Sequence, residues 1–286
     1  MGTRKLSPAT ETFSSPPLDE VQRRVLETMR ADGVALVSFQ ELFGDDAFWE
    51  ELRGDIGRFT EHTEANLAEL QAQQKKKSYL IRRFLKSGRP FAIDDPWLRL
   101  GLSSRVLDVV NAYRGERTLL IDVDNWYTIP DPDADDRIAS QRWHRDPWDN
   151  HIVKVFAYFS DVDEDAGPFE YLRGTPEGGR NAHLWPWEGD DVYGKHGLYP
   201  EQDEFEAKAP AEDVLTCTGP AGTMVFADTS GFHRGGWTRA KPRILAYCSY
   251  VSTRFRLEPR FEVSWPAAGA GNGLSADAEF AVSWSR

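Results

Sequence analysis

The sequence predicts an α+β protein whose core is all-β: a double-stranded β-helix, the cupin-like jelly roll, with an N-terminal helical layer packed outside it. Three features carry this expectation. Helical periodicity fills the first 115 residues, β-branched and aromatic runs dominate from Thr118 onward, and no long helical pattern interrupts the second half.

Residues 1–17, rich in Ser, Thr and Pro without periodicity, read as a flexible leader. From Leu18 the spacing of Val21, Val25, Leu26 and Met29 predicts an amphipathic helix, which Gly33 ends before the short apolar strand Val34, Ala35, Leu36, Val37. A second helix is expected over 46–59, opened by acidic residues, with further helices near 64–74 and 103–113. The run TLLIDVDNWYTI, bounded by Gly115 and by PDPDADD, reads as a strand. More strands are expected over 152–159, 167–172, 222–226 and 244–251, separated by Gly, Pro and Asp turns. Residues 180–211 have many glycines and acidic residues but no clean period, and read as a lid-like insertion. The expected division is a leader (1–17) and one domain (18–286), with a helical part (18–115), a jelly-roll core (116–265) and the insertion inside it.

With 286 residues, 40% of them hydrophobic, the chain can build a sizeable core. Its formal net charge of −12 repels phosphate backbones, so nucleic acid is not an expected partner. The lysine run Lys75, Lys76, Lys77 follows a Gln-rich helical stretch and reads as a solvated helix end. There is no apolar stretch of about 18 residues and no apolar signal-peptide core, so no membrane partner and a cytoplasmic location are expected. Cys217 and Cys248 lack CxxC spacing and are expected as reduced, buried thiols.

The chemistry concentrates in QRWHRDPWD. His144 and Asp146 are two apart, so on an extended segment their side chains leave on one face and can grip one ion. Two His and one carboxylate would leave positions on iron(II) open for co-substrate and oxygen. His233, in DTSGFHRGG, is the best third ligand: it lies 89 residues later, among glycines that let the backbone turn toward a metal. Arg243, ten residues after His233, opens an otherwise apolar strand, so its charge needs a partner, and a guanidinium matches a carboxylate best. Arg239, six after His233, is the second candidate for that carboxylate.

These motifs resemble the phytanoyl-CoA dioxygenase family of iron/2-oxoglutarate oxygenases across most of the chain. MRADGVALVSF is similar to the family's opening helix and strand, WHRD and VKVFAYFSDVDEDAGPFEYL to its metal segment, strand and acidic turn, AGTMVFADTSGFHRGG to its distal-histidine segment, and KPRILAYCSY to its arginine strand. Where the family has PGSH after the acidic turn, this chain has LRGTP, from Leu172 to Pro176. The resemblance implies Fe(II), 2-oxoglutarate and O2 as cofactor and co-substrates, with His144, Asp146 and His233 as metal ligands and Arg243 on the 2-oxoglutarate carboxylate. It further implies co-substrate contacts from Asn125 and Tyr127, and a basic residue over the co-substrate among Arg82, Arg83 and Lys86. Halogenating relatives lack the carboxylate ligand, so Asp146 implies hydroxylation or oxidative ring closure.

Of the remaining histidines, His62, His183 and His196 read as ordinary. His151 follows the HxD segment closely and reads either as a substrate contact or as a satisfied loop residue. Trp148 and Trp237 flank the expected ligands and either stack on substrate or pack structurally. The expected partner is a small-molecule substrate. An oligosaccharide or glycosylated metabolite fits the ten Trp and the polar insertion, as with relatives in oligosaccharide-antibiotic pathways, whereas CoA phosphates suit an acidic protein poorly. The competing expectation is a jelly-roll metal protein without oxygen chemistry, such as a cupin-like isomerase or sugar-binding module.

Overall fold

In the computed structural model, residues 13–15, 17–74, 77–85, 87–185, 199–254, 258–266 and 273–285 are described. Lys75, Lys76, Lys86, His196, most of the expected leader and the middle of the expected insertion lie outside them.

Local chemistry sets the first elements. Helix α1 (Glu20–Asp32) starts at a reciprocal cap, with Asp19 Oδ1 accepting the Gln22 N–H at 2.9 Å and Gln22 Oε1 accepting the Asp19 N–H at 3.1 Å. It ends at Gly33, which leads straight into β1 (Val34–Ser38). The short α2 (Phe39–Phe43) and the long α3 (Asp46–Ala65) follow; α3 outruns its expected end because Phe48, Leu52, Ile56, Phe59 and Thr63 keep one buried face. Then come α4 (Leu67–Ala72), β2 (Leu80–Arg82) and β3 (Phe91–Ala92). Helix α5 (Pro96–Leu102), not expected from periodicity, has a start signal in Asp95 as N-cap and Pro96 in its first turn. Helix α6 (Ser104–Arg114) closes the helical half.

The second half holds β4 (Leu119–Thr128), β5 (Val153–Tyr158), β6 (Phe169–Leu172), α7 (Gln202–Lys208), β7 (Val214–Cys217), β8 (Thr223–Asp228), β9 (His233–Arg234), β10 (Arg243–Val251), β11 (Val263–Ser264) and α8 (Ala276–Ala281). The major sheet runs β1-β8-β5-β10-β4-β2, antiparallel throughout, and the minor sheet runs β7-β6-β9. Two antiparallel sheets face each other as in a jelly roll, open at the edges rather than closed into a barrel.

The two faces of the major sheet bury different sets. Val123, Tyr127, Val153, Val155, Ala157, Ala246, Cys248 and Tyr250 point outward into one cluster with α1, α3, α5 and α6. Phe156, Tyr158, Val225, Leu245 and Tyr247 point inward against Phe169, Tyr171 and Cys217 of the minor sheet. Strand alternation thus divides β4, β5 and β10 residue by residue into a helix-facing set and a cavity-facing set. Both cysteines are free and buried. No described helix is long and apolar enough to cross a membrane.

One backbone contact ties the β5–β6 turn to the β9–β10 loop. A Cβ on Gly236 would sit 1.8 Å from the Gly167 carbonyl carbon, and Gly167 itself has φ +66 with its own Cβ position 2.5 Å from Thr238 N. Only two glycines allow this approach. Gly236→Ala is expected to cost about 1–3 kcal/mol or more, because the clash is with backbone that cannot step aside. Thermal unfolding should show a lowered midpoint, and an unchanged midpoint would show that the loops do not depend on this contact.

Candidate metal centre

His144, Asp146 and His233 come together between the sheets: one potential ligand atom from each lies within 4.8 Å of the others, and all three residues are buried. A main-chain bridge achieves this. His144 N donates to His233 O and His233 N to His144 O, each at 2.9 Å, which pins the HxD segment beside β9. Strand β9 in turn pairs with β6, where Tyr171 is opposite His233. Asp146 N donates to Thr229 O at 2.7 Å, so the carboxylate is anchored from the same turn that leads to β9.

Both imidazoles are oriented in the same way. His144 Nδ1 lies 2.8 Å from Arg142 O, and His233 Nδ1 lies 2.9 Å from Gly231 O, the carbonyl two residues upstream in each case. A carbonyl only accepts, so the proton resides on Nδ1 and each Nε2 lone pair is left for a metal. Burial keeps the rings neutral, holding His144 well below the ordinary imidazole value and pulling His233 to about 4. For Asp146 burial acts in the opposite direction, but the Lys154 ammonium outweighs it and holds the carboxyl below the usual range. Lys154 Nζ is 2.6 Å from Asp146 Oδ2 and pairs with it. Two neutral nitrogens and a buried ionised carboxylate fit a divalent cation.

Arg243 begins β10 with its side chain on the inner face and is only 5% exposed. Its Nη1 donates to Gly167 O, and its buried Nε has no partner. The groups facing it are Tyr158, Tyr79 and Cys217, all kept protonated at neutral pH by burial. Burial therefore presses the guanidinium down from its ordinary value, with no carboxylate among the described residues to offset it. Thr128 pairs with Arg243 across the β4–β10 ladder and has a buried, unpartnered Oγ1; Trp126, the next inward residue on β4, has a buried, unpartnered Nε1. Three unsatisfied donors along one edge of the inner face fit a carboxylate ligand. Arg239 is placed differently: it donates to Ala134 O at 2.9 Å and Pro132 O at 2.7 Å and lies over Trp237, so its donors are already engaged.

Several expected contacts fall elsewhere. Asn125 and Tyr127 lie on the outer face of β4, where Asn125 Oδ1 accepts from Arg83 at 3.1 Å and Tyr127 OH donates to Glu64 at 3.4 Å. Both are thus satisfied polar residues facing away from the inward set of β4, which is Asp122, Asp124, Trp126 and Thr128. Of the basic trio, Arg82 faces inward, bonded to Asp124 at 2.7 Å and to Tyr247 OH at 2.8 Å, while Arg83 turns out to Asp55. Trp237 sits between Arg137 and Arg239 and lines a polar cleft with Tyr79, Asp131 and Gln141. Trp148 stays beside the cluster, with Lys154 Nζ 5.5 Å and the Arg260 guanidinium 4.9 Å from its ring centre.

The sequence reading also passed over groups that crowd the cluster. Tyr199, 42% exposed, stacks on His144 at 5.2 Å and 8°. It leads into α7, which clamps the residue before His144: Gln202 Oε1 accepts the Trp143 N–H at 2.7 Å, and Phe205 packs on the Trp143 ring. Lys77 is not a solvated helix end; it turns inward and donates to Ser140 Oγ at 2.9 Å. A lone lysine in VKVFAY was the signal for Lys154, since strand alternation puts it inside.

His151 faces the helical layer. Its Nδ1 is 2.5 Å from Asp228 Oδ2, which also accepts from Tyr113 OH at 2.9 Å, while Asp228 Oδ1 accepts from Ser230 Oγ at 2.7 Å. That pair braces the turn whose Thr229 carbonyl holds Asp146. The hydrogen bond to Asp228 raises the His151 pKa against burial, with Arg114 opposing and Glu177 assisting. A raised folded-state value means that the pair's contribution is whole below the unfolded imidazole value near ~6.5 and is lost as pH rises through the folded one. His151→Gln is therefore expected to lower stability by roughly 1.5–3 kcal/mol at the acid end, the range for a hydrogen bond to a charged group. Urea midpoints of both proteins at pH 6 and pH 9 test this: the gap should shrink with rising pH, and a constant gap would remove the ion pair.

A jelly roll that presents two imidazoles and a carboxylate to one point, with coordination positions to spare, is the arrangement of non-haem iron(II) oxygenases. The phytanoyl-CoA dioxygenase (PhyH) family model matches residues 24–243, and the chain belongs to that family, whose enzymes are 2-oxoglutarate-dependent dioxygenases using Fe(II) and O2. No curated protein sequence matches the chain. Among solved structures it is similar in fold to the epimerase SnoN in complex with Fe3+, alpha ketoglutarate and nogalamycin RO, at 17% identity over 88% of this chain and 93% of that one, with TM-score 0.53. It is also similar to EctD from S. alaskensis with bound Fe, at 18% identity over 95% of this chain and 90% of that one, with TM-score 0.55.

Proposed function

We propose that His144, Asp146 and His233 hold one Fe(II), that Arg243 with Thr128 and Trp126 holds the distal carboxylate of 2-oxoglutarate, and that the enzyme oxidises a C–H bond of a small molecule by hydroxylation or oxidative ring closure. The observation that carries this is the pairing of a buried His-Asp-His cluster with a buried guanidinium that has no carboxylate partner among the described residues. Bound iron with 2-oxoglutarate and O2 supplies the oxidising power, the diacid leaving as succinate and CO2.

The chain's own residues supply position and dryness. The Arg142 and Gly231 carbonyls fix both imidazole tautomers, so the Nε2 lone pairs are set before any metal binds. The Tyr199 ring covers one face of His144 and limits water there. Arg243 offers its charge in a space without a competing acid, which favours a dicarboxylate over neutral molecules. For the substrate we favour a sugar-containing metabolite of an antibiotic pathway. The support is the half-exposed Tyr199 ring stacked on His144, the Trp148 ring beneath Lys154, and the likeness in fold to SnoN, crystallised with nogalamycin RO.

The reading is tested by succinate release from 2-oxoglutarate under Fe(II) and air, with binding followed separately by anaerobic calorimetry. Arg243→Met should weaken 2-oxoglutarate by roughly 2–5 kcal/mol, about thirtyfold or more in KM, since a buried charge pair loses one partner. His144→Ala with His233→Ala should abolish iron-dependent turnover. Intact turnover in that double variant would sink the assignment.

A further inference from the structure

The inner face of the major sheet carries a second charged region at the opposite end from Arg243. Ser249 pairs with Lys154 on one side and with Asp122 on the other, so these three form one cross-strand row facing inward. Arg243 and Ser249 are six residues apart on β10, about 20 Å at the rise of an extended strand. The backbone of the row is therefore remote from Arg243, while Lys154 Nζ reaches back to Asp146 at 2.6 Å.

The row is built for a ligand that brings acceptors. Ser249 is 1% exposed, and its Oγ has no partner. The Lys154 side chain is 13% exposed, and its anionic contact is Asp146, one of the cluster residues. Once Asp146 shares its charge with a dication, Lys154 keeps little of that attraction and its ammonium is left beside the reacting space. Arg260 joins the row from the solvent side, donating Nη1 to Asp122 Oδ2 at 3.1 Å while 36% of its side chain stays exposed. Trp148 floors both cations.

Charge balance points the same way. Lys77, Arg82, Lys154 and Arg260 share this space with Asp122, Asp124 and Asp146, and burial plus the cations Lys154, Arg82 and Arg260 lowers Lys77 to about 8. Arg82 is tied to Asp124, Asp122 and Tyr247 and forms a fixed wall. Adding a metal dication and a 2-oxoglutarate dianion, one of whose charges Arg243 offsets, leaves positive charge in excess at the mouth. In a chain whose net charge is −12, cations gathered inside mark a place where an anion is received.

We infer that the substrate carries an anionic group, a carboxylate or a phosphate ester, which Lys154, Ser249 and Arg260 receive at the mouth of the cavity. This rests on the proposed iron and 2-oxoglutarate site. The inference is tested on full-length protein loaded anaerobically with Mn(II) and 2-oxoglutarate, titrated with phenyl glucuronide, phenyl glucoside and phenyl phosphate. The glucuronide and the glucoside differ only in a carboxylate in place of a hydroxymethyl group.

At least one anionic probe is expected to bind about tenfold or more tightly than the glucoside, and the tighter of the two anions tells carboxylate from phosphate. Arg260→Gln at the mouth and Lys154→Met at the row should each erase most of that preference, while the exposed Lys241→Gln should keep it. Equal binding of glucoside and anions, no binding of any probe, or a preference that survives both variants would overturn the inference. Because 2-oxoglutarate binding is measured in the same sample, a missing preference in protein that binds 2-oxoglutarate counts against the anion site alone. Failure to bind 2-oxoglutarate would remove both.

Discussion

The arrangement depends on a reciprocal pair of main-chain hydrogen bonds between His144 and His233. These residues are far apart in sequence, and neither side chain can choose its direction until the backbones meet. The bridge sets the separation, the upstream carbonyls set the ring orientation, and burial sets the protonation state. Geometry, tautomer and charge are thus fixed by the fold before any ligand arrives, which is what a metal centre with open positions requires.

Around this point the protein separates its charges by strand alternation. Inward residues of β4, β5 and β10 carry Asp122, Asp124, Lys154 and Arg243, whereas outward neighbours such as Val123, Val155 and Cys248 join the apolar cluster beneath the helices. Each buried ion is matched where the matching is structural, as with Arg82 between Asp122 and Asp124. Arg243 and Lys154 depart from this: among the described residues Arg243 has no carboxylate partner, and the acid beside Lys154 is one that a metal would draw away. Buried charges left short of partners are costly, so their presence marks ligand sites more strongly than it marks stability.

Much of this was legible in the sequence because it lives in periodicity. The HxD spacing, the helical stripe ended by Gly33, and a charged residue opening an apolar strand are statements of period two or 3.6, and they survive without coordinates. Register was harder to read: Asn125 and Tyr127 were chosen where Trp126 and Thr128 face the cavity, because a run as uniformly buried as LLIDVDNWYT does not announce which face is inside. His151 was left open between substrate contact and satisfied residue because its partner Asp228 comes from a strand 77 residues away. Helix α7 escaped notice because its seven residues bury only Phe205, too little for a periodic signal, although it clamps Trp143.

The central claim is that two imidazoles, one carboxylate and a remote guanidinium form one ligand-binding unit. Anomalous diffraction from crystals grown with Mn(II) and 2-oxoglutarate tests it most directly. The account predicts a single ion on Nε2 of His144, Nε2 of His233 and a carboxylate oxygen of Asp146, with the far end of the diacid against Arg243. An ion held elsewhere, or a diacid whose far carboxylate rests on Arg239, would contradict it.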